Sequence, residues 1–195
     1  MTIAYFVGET LYLNITNRCS ADCDFCLRRD SVSVGGCDSL WLPREPDINE
    51  ILEAVYAVDW QSAPEIVFCG FGEPTMRLEV MLSVARALKE RDSGINLRLN
   101  TNGLGCLTAG RDIVPDLAGL FDTVSVSLNF SDERTYNERC RPAYPGAYPA
   151  LLDFIRRCAA CIPNVTATVP FAVSPEETGA ARKTAEALGA RFRVR

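Results

Sequence analysis

The stretch LYLNITNRCSADCDFCLR (residues 11–28) joins an apolar, β-branched run to a loop that carries three cysteines. Residues 11–16 have the composition of a buried strand. Cys19, Cys23 and Cys26 follow that strand in the spacing C-x3-C-x2-C. A strand that delivers three thiols at its carboxyl end favours an α/β fold with its chemistry at the strand ends.

The composition is that of one globular domain. The chain has 195 residues, of which 48% are apolar and 23% are charged, and its net charge is −5. We therefore expect a single domain over residues 1–195 and no general attraction for nucleic acid. No apolar run reaches the length of about 20 residues that a membrane span needs. Residues 1–14 lack the features of a signal peptide, so we expect a cytoplasmic location, where thiols stay reduced.

Short β-branched runs alternate with stretches of helical periodicity along the rest of the chain. The candidate strands are residues 11–16, 65–70, 96–101, 123–129, 165–171 and 191–194, with residues 3–7 in a hairpin with the first. The candidate helices are residues 48–58, capped by Asp47, and residues 78–91, 150–162 and 175–188. This alternation predicts a parallel sheet with right-handed crossovers. Six parallel strands suit either an open, partial barrel or a doubly wound sheet.

The three-cysteine loop predicts an iron–sulfur cluster with one open position. A four-iron cluster normally takes four thiolates, and an open coordination site distinguishes a catalytic metal centre from a structural one. The chain has no histidine, which excludes every cysteine–histidine zinc pattern. Two alternatives remain open, a structural zinc site completed by a distant cysteine such as Cys37 and a chance cluster of buried thiols.

The other cysteines are not expected to form a second cluster. Cys158 and Cys161 fall on the apolar stripe of the candidate helix at residues 150–162, so we expect both to be buried. Cys37 lies beside two glycines and Cys140 lies between two arginines, and we expect these two thiols to be exposed.

A glycine-rich turn closes the second candidate strand, with the sequence CGFGEPT at residues 69–75. Gly70 and Gly72 permit positive φ and close backbone approach. Glu73 supplies an acceptor for an ammonium group. The turn therefore predicts one wall of a binding site.

Polar residues also close the next two strands. LNTNG (99–103) carries Asn100 and Asn102, and VSVSLN (124–129) places Ser127 and Asn129 on one face of the strand. Because the ends of parallel strands meet at one edge of a sheet, these side chains outline a single pocket with the glycine-rich turn.

Together these motifs resemble the radical S-adenosylmethionine (SAM) superfamily. The resemblance rests on C-x3-C-x2-C with Phe25 before the last cysteine, on Gly-Glu-Pro after the second strand, and on Ser-x-Asn in the fourth. Residues 11–28, FCGFGEPT (68–75) and NERCRPAYPGAYPALLDFI (137–155) are similar to the signature stretches of the TatD-associated radical SAM branch. The resemblance covers nearly the whole chain and implies a partial (β/α)6 TIM-like barrel of the radical SAM type.

The resemblance implies a role for each motif residue. Cys19, Cys23 and Cys26 would ligate three irons of a [4Fe–4S] cluster, whose fourth iron would bind the amino and carboxylate groups of SAM. The resemblance implies that Phe25, Val169 and residues 192–194 lie near the adenine of SAM, and that Glu73 with Gly70 and Gly72 holds the amino group. Ser127 and Asn129 would bind the ribose or the carboxylate, and Asn100 or Asn102 would line the same pocket. Arg141 or Arg139 would bind the methionine carboxylate. The motif reads Phe-Gly-Glu-Pro in place of Gly-Gly-Glu-Pro, so we expect Phe71 to shape the pocket.

The implied reaction is reductive cleavage of SAM to a 5′-deoxyadenosyl radical that abstracts hydrogen from an unidentified substrate. A reductant such as flavodoxin or ferredoxin would supply the electron. An alternative within the family is an enzyme that activates a partner protein, because a macromolecule could complete the open barrel of so short a chain. The alternative from another class is a non-catalytic zinc or iron–sulfur binding module.

Overall fold

A computed structural model describes residues 1–195 and contains one seven-stranded sheet. The strands are β1 (Ala4–Val7), β2 (Thr10–Leu13), β3 (Ile66–Phe68), β4 (Leu97–Thr101), β5 (Thr123–Ser127), β6 (Asn164–Val169) and β7 (Arg191–Val194). β1 forms the predicted hairpin with β2, and β2 to β7 run parallel in chain order. The order never reverses, so the sheet has no topological switch point and is not doubly wound. The predicted partial barrel is confirmed.

Seven α-helices connect or follow these strands. They are α1 (Ile48–Tyr56), α2 (Leu78–Arg91), α3 (Gly105–Ala109), α4 (Val114–Leu117), α5 (Glu133–Cys140), α6 (Ala147–Cys161) and α7 (Pro175–Ala187). The predicted cap of α1 is present, because the Asp47 carboxylate accepts from the Glu50 N–H at 2.9 Å and the Glu50 side chain accepts from the Asp47 N–H. The sequence did not predict α3, α4 or α5.

The core lies between the sheet and the helices. One continuous cluster of 43 buried residues includes apolar side chains of β2 to β6 and of α1, α2 and α6. Leu97 and Leu99 alternate with half-buried residues along β4, as pleat parity requires. None of the helices combines the length and the apolar character that crossing a bilayer would require.

The long loop at residues 17–47 is tied to the amino-terminal edge strands by side-chain amides and aromatic rings. Asn14 and Asn17 donate to the carbonyl oxygens of Leu40 and Leu42, each at 2.7 Å. Phe71 packs in a small separate cluster with Leu40, and its ring meets the ring of Trp41 edge-on at 5.3 Å. The Phe71 side chain therefore anchors the loop, and its effect on the ligand pocket stays a prediction.

Candidate functional site

The predicted site residues collect at the carboxyl edge of the parallel strands. The cysteine loop follows β2, the glycine-rich turn follows β3, and Asn102 directly follows β4. Ser127 ends β5, and Arg195 directly follows β7. This convergence is what parallel strands dictate, since their carboxyl ends share one edge.

The three motif cysteines lie in one half-buried loop, but their sulfurs are not gathered at one point. The Cys26 N–H donates to the Cys23 carbonyl oxygen at 3.3 Å, which places these two residues in one tight turn. The Cys23 and Cys140 thiols are neighbours, and their interaction raises the pKa of Cys23 and lowers that of Cys140. No three cysteine, aspartate or glutamate side chains are arranged to hold a metal ion.

Burial controls the protonation of the Cys19 thiol. Desolvation, reinforced by the charge of Glu73, raises the pKa of Cys19 to about 11. The Asn102 amide lies 3.8 Å from the Cys19 sulfur and donates to the Ser20 hydroxyl at 2.9 Å. Asn102 therefore holds the start of the cysteine loop against the end of β4. The predicted role of Asn102 as a residue of the SAM pocket stays a prediction.

Gly70 and Gly72 allow the glycine-rich turn to pass close to the chain that follows β2. Neither glycine has a positive φ, so that part of the expectation is wrong. A Cβ on Gly70 would lie 2.1 Å from Asn14 Oδ1, and a Cβ on Gly72 would lie 2.3 Å from the Thr16 carbonyl oxygen. Glycine is required at both positions because atoms of residues 14–18, which lead into the cysteine loop, fill the space that any side chain would need.

Glu73 is buried, with 4% of its surface exposed, and its carboxylate is bound by the protein. Oε1 accepts from the Thr75 N–H at 3.1 Å and from the Thr75 and Thr101 hydroxyls, each at 2.8 Å. Oε2 accepts from the Asn102 N–H at 2.6 Å. Burial raises the pKa of Glu73, and these donors oppose that rise. In this structure Glu73 joins the ends of β3 and β4, and its role toward an ammonium group stays a prediction.

Asn100 carries an unsatisfied acceptor. Its Oδ1 atom is buried and has no hydrogen-bond partner. Buried polar atoms in native proteins are nearly always paired, so an orphan at a strand end is open to a donor from a ligand. This observation agrees with the predicted place of Asn100 in the pocket.

Ser127 and Asn129 lie on one face, as predicted, and share a guanidinium that the sequence analysis did not assign. Arg195 Nη2 donates to Asn129 Oδ1 at 2.8 Å and approaches Ser127 Oγ at 3.3 Å. Arg195 Nε donates to the Thr168 hydroxyl at 3.1 Å. All of these acceptors are neutral, and no carboxylate pairs with Arg195. In the sequence, the alternating arginines of RFRVR (residues 191–195) were the signal that could have identified Arg195.

The two arginines predicted for the methionine carboxylate lie at the carboxyl end of α5. Arg141 ends α5 with a left-handed backbone at φ 46°, and its half-exposed guanidinium is 4.0 Å from Asp22. Arg139 pairs with Asp24 at 2.5 Å. Neither contacts Ser127 or Asn129, whereas Arg195 contacts both, and the role of Arg141 or Arg139 at the methionine carboxylate stays a prediction.

Phe25 lines a cavity of about 260 Å³ next to the cysteine loop. Its ring meets Phe130 edge-on at 5.8 Å, and the Arg139 guanidinium lies 5.8 Å from its centroid. The other lining residues come from the segment after β5, α5, the segment after β6 and the start of α7, and are Phe130, Thr135, Arg139, Pro170, Ala172, Val173, Ser174 and Glu177. A cavity with two aromatic rings and polar groups among the lining suits a flat, polar heterocycle.

Two cysteine predictions are wrong. Cys140, expected at the surface, is buried with 1% exposure, because it faces inward from α5 one turn after Tyr136. Cys161 is exposed because α6 ends there, whereas Cys158 is buried as predicted. Cys37 is half-buried and packs against the cluster of Tyr5, Leu40 and Phe71.

Comparison with known proteins places this geometry in one family. The model of the radical SAM superfamily matches residues 13–187, which include the cysteine loop and the carboxyl ends of β2 to β6 but not β7 and Arg195. No curated protein matches the chain.

Solved structures share the fold at low sequence identity. The radical SAM methyltransferase TsrM from Kitasatospora setae, with cobalamin and a [4Fe–4S] cluster bound, is 12% identical with a TM-score of 0.62, and the match covers 95% of this chain and 34% of that one. SuiB from Streptococcus suis, bound to the precursor peptide SuiA, is 16% identical with a TM-score of 0.64, covering 92% of this chain and 37% of that one. The chain thus spans about a third of the length of these proteins.

Proposed function

Because the chain belongs to the radical SAM superfamily, we propose that Cys19, Cys23 and Cys26 hold a [4Fe–4S] cluster and that the neighbouring strand ends bind SAM. Membership confirms the predicted enzyme class and the cofactor pair of the family. We further propose that residues 1–195 form one radical SAM core domain, which is supported by the single large core beneath all of the site loops.

The residues present fit the cluster. An all-thiolate donor set from one loop, with no histidine, is the donor chemistry of iron–sulfur centres. The loop is held at both sides, by Asn102 on Ser20 and by the Glu73 N–H, which donates to the Arg18 carbonyl oxygen at 2.8 Å. The protein therefore holds the three thiols at a defined position beside the strand ends before the cluster binds.

When bound, the cluster would supply the electron for reductive cleavage of SAM, and so for hydrogen abstraction from the substrate. The chain's own contribution is to hold SAM. The Arg195 guanidinium, surrounded by the neutral acceptors Ser127, Asn129 and Thr168, is a partner for the methionine carboxylate. The Asn100 acceptor is available to a donor of SAM, and the cavity beside Phe25 has the shape for the adenine.

The observation that carries this proposal is the convergence at one sheet edge of the three-thiol loop, a guanidinium bonded only to neutral acceptors, and an orphaned acceptor. The test is anaerobic incubation of cluster-loaded protein with dithionite and SAM. We expect 5′-deoxyadenosine from the wild type and none from Cys26→Ala. Cys161→Ala, which removes an exposed thiol away from the loop, is the matched control and should keep the activity.

The same assay separates the enzyme from a non-catalytic zinc or iron–sulfur module. A closed four-ligand site would need a further cysteine such as Cys37, and Cys37→Ala would then release the metal. The enzyme keeps its cluster in Cys37→Ala, because Cys37 packs in the separate cluster under the long loop. An intact cluster that never yields 5′-deoxyadenosine would eliminate the proposed activity.

For the substrate we propose a macromolecule or partner protein, acted on by a member of the TatD-associated branch with flavodoxin or ferredoxin as reductant. The branch is supported by the signature stretches around the cysteine loop and at residues 137–155. A macromolecular substrate is supported by the fold shared with SuiB, whose structure holds a precursor peptide. A candidate partner made with deuterated amino acids should transfer deuterium into 5′-deoxyadenosine, and a true substrate of low molecular mass would leave that product unlabelled.

A further inference from the structure

The carboxyl end of α5 and the residues after it run beside the cysteine loop and bind it through backbone hydrogen bonds. The Asp22 N–H donates to the Cys140 carbonyl oxygen at 3.1 Å and approaches the Arg141 carbonyl oxygen at 3.3 Å, and the Asp24 N–H donates to the Arg139 carbonyl oxygen at 3.0 Å. Further along, Ala21 forms an antiparallel bridge with Pro142. The same pairing continues at the next residue, where the Ala143 N–H donates to the Ser20 carbonyl oxygen at 2.9 Å.

These contacts place Cys23 beside Cys140. The two bonds, from Asp22 to Cys140 and from Asp24 to Arg139, lie on either side of Cys23, so the Cys23 backbone packs against the last turn of α5. Disulfides form when Cα atoms are about 4.4–6.8 Å apart. The side chains are close as well, because each thiol shifts the pKa of the other.

The surroundings of Cys140 keep its sulfur in place. Cys140 is buried, with 1% exposure, and its sulfur accepts from Asn129 Nδ2 at 3.4 Å. Cys23 is half-buried and can be reached from solvent. The pair thus has one accessible thiol and one fixed, protected thiol that faces it.

We propose that Cys23 and Cys140 form a reversible disulfide in the cluster-free protein, which removes one cluster ligand and closes the site to metal. In the reaction, the Cys23 thiolate attacks oxidised glutathione and releases one reduced glutathione. Cys140 then attacks the mixed disulfide on Cys23 and releases the second, so two protein thiols are oxidised and one glutathione disulfide is reduced. The consequence for metal binding rests on the proposed function, in which Cys23 is a ligand; the disulfide itself does not.

The first test maps the bond in the full chain. Metal-free, fully reduced protein is incubated anaerobically with oxidised glutathione, alkylated, digested and analysed by mass spectrometry. We expect a linked peptide pair containing Cys23 and Cys140 as the main product. Cys161→Ser should form the same pair, and Cys140→Ser should instead retain glutathione on Cys23. Linkage of Cys23 to Cys19 or Cys26, or no linkage of Cys23, would overturn the inference.

The second test uses Co²⁺ alone, without added reductant, and follows the thiolate-to-cobalt absorption. The oxidised wild type should lose most of this absorption relative to the reduced protein, and dithiothreitol should restore it. If the disulfide forms and the absorption is unchanged, Cys23 is not a metal ligand and the proposed site fails with it. If no disulfide forms while the reduced protein still loads a cluster, only the present inference fails.

Discussion

Gly72→Ala tests the reasoning that the glycine-rich turn positions the cysteine loop. The added Cβ would lie 2.3 Å from the Thr16 carbonyl oxygen and 2.6 Å from that of Arg18. Real Cβ contacts essentially never fall below 3.0 Å, so the Thr16 backbone must move by about 0.7 Å. Because both contacts are backbone atoms, no side-chain rotation can relieve them.

The cost follows from overpacking at a rigid contact. Inserting one carbon where the backbone must shift costs about 1–3 kcal/mol. In a domain of this length each kcal/mol changes Tm by about 2–4 °C. The displaced segment leads directly into Cys19, so the variant should also bind less iron and sulfide per chain than the wild type under native conditions.

Urea unfolding followed by tryptophan fluorescence measures the first effect, and iron and sulfide analysis measures the second. Gly179→Ala is the matched control, because Gly179 lies within α7, has no positive φ and has open space around its Cα. Alanine there should raise the free energy of unfolding by about 0.5–1 kcal/mol. A Gly72→Ala protein with wild-type stability and full iron content would refute the close-approach argument.

Three further variants test separate contacts. Asp47→Ala removes the cap of α1 and should lower the free energy of unfolding by about 1 kcal/mol in urea titrations. Glu73→Gln places an amide donor against the Asn102 N–H and should cost about 1–3 kcal/mol, whereas the exposed Glu79→Gln should change little; equal effects would contradict the buried role of Glu73. Arg195→Gln should weaken SAM binding to cluster-loaded protein by about 10- to 150-fold in equilibrium dialysis, and the exposed Arg193→Gln should not.

Local signals predicted most of the fold. The bounds of α2 at Leu78–Arg91 agree with prediction because its apolar periodicity is continuous. The predicted cap at Asp47 is present because capping depends only on neighbouring residues. In contrast, α5 was missed because only Tyr136 and Cys140 of its eight residues are buried, which is too few to show a helical period.

The candidate site was predictable where it depends on topology. Parallel strands bring their carboxyl ends together, so Asn102, Ser127 and Asn129 were placed correctly at one edge. Arg195 and Cys140 were not, because their positions depend on contacts between distant parts of the chain, with Asn129 as the shared partner of both. The orientation of Arg141 was not predictable either, because it follows from the left-handed end of α5, which turns the side chain toward Asp22.

The electron paramagnetic resonance spectrum of the reduced cluster, recorded with and without SAM, tests the central claim most directly. An iron without a protein ligand binds the amino and carboxylate groups of SAM, so we predict that SAM changes the g-values and line shape of the wild type and of Cys37→Ala alike. A spectrum that is identical in both conditions would mean that protein occupies the fourth position, and the proposed enzyme site would be contradicted.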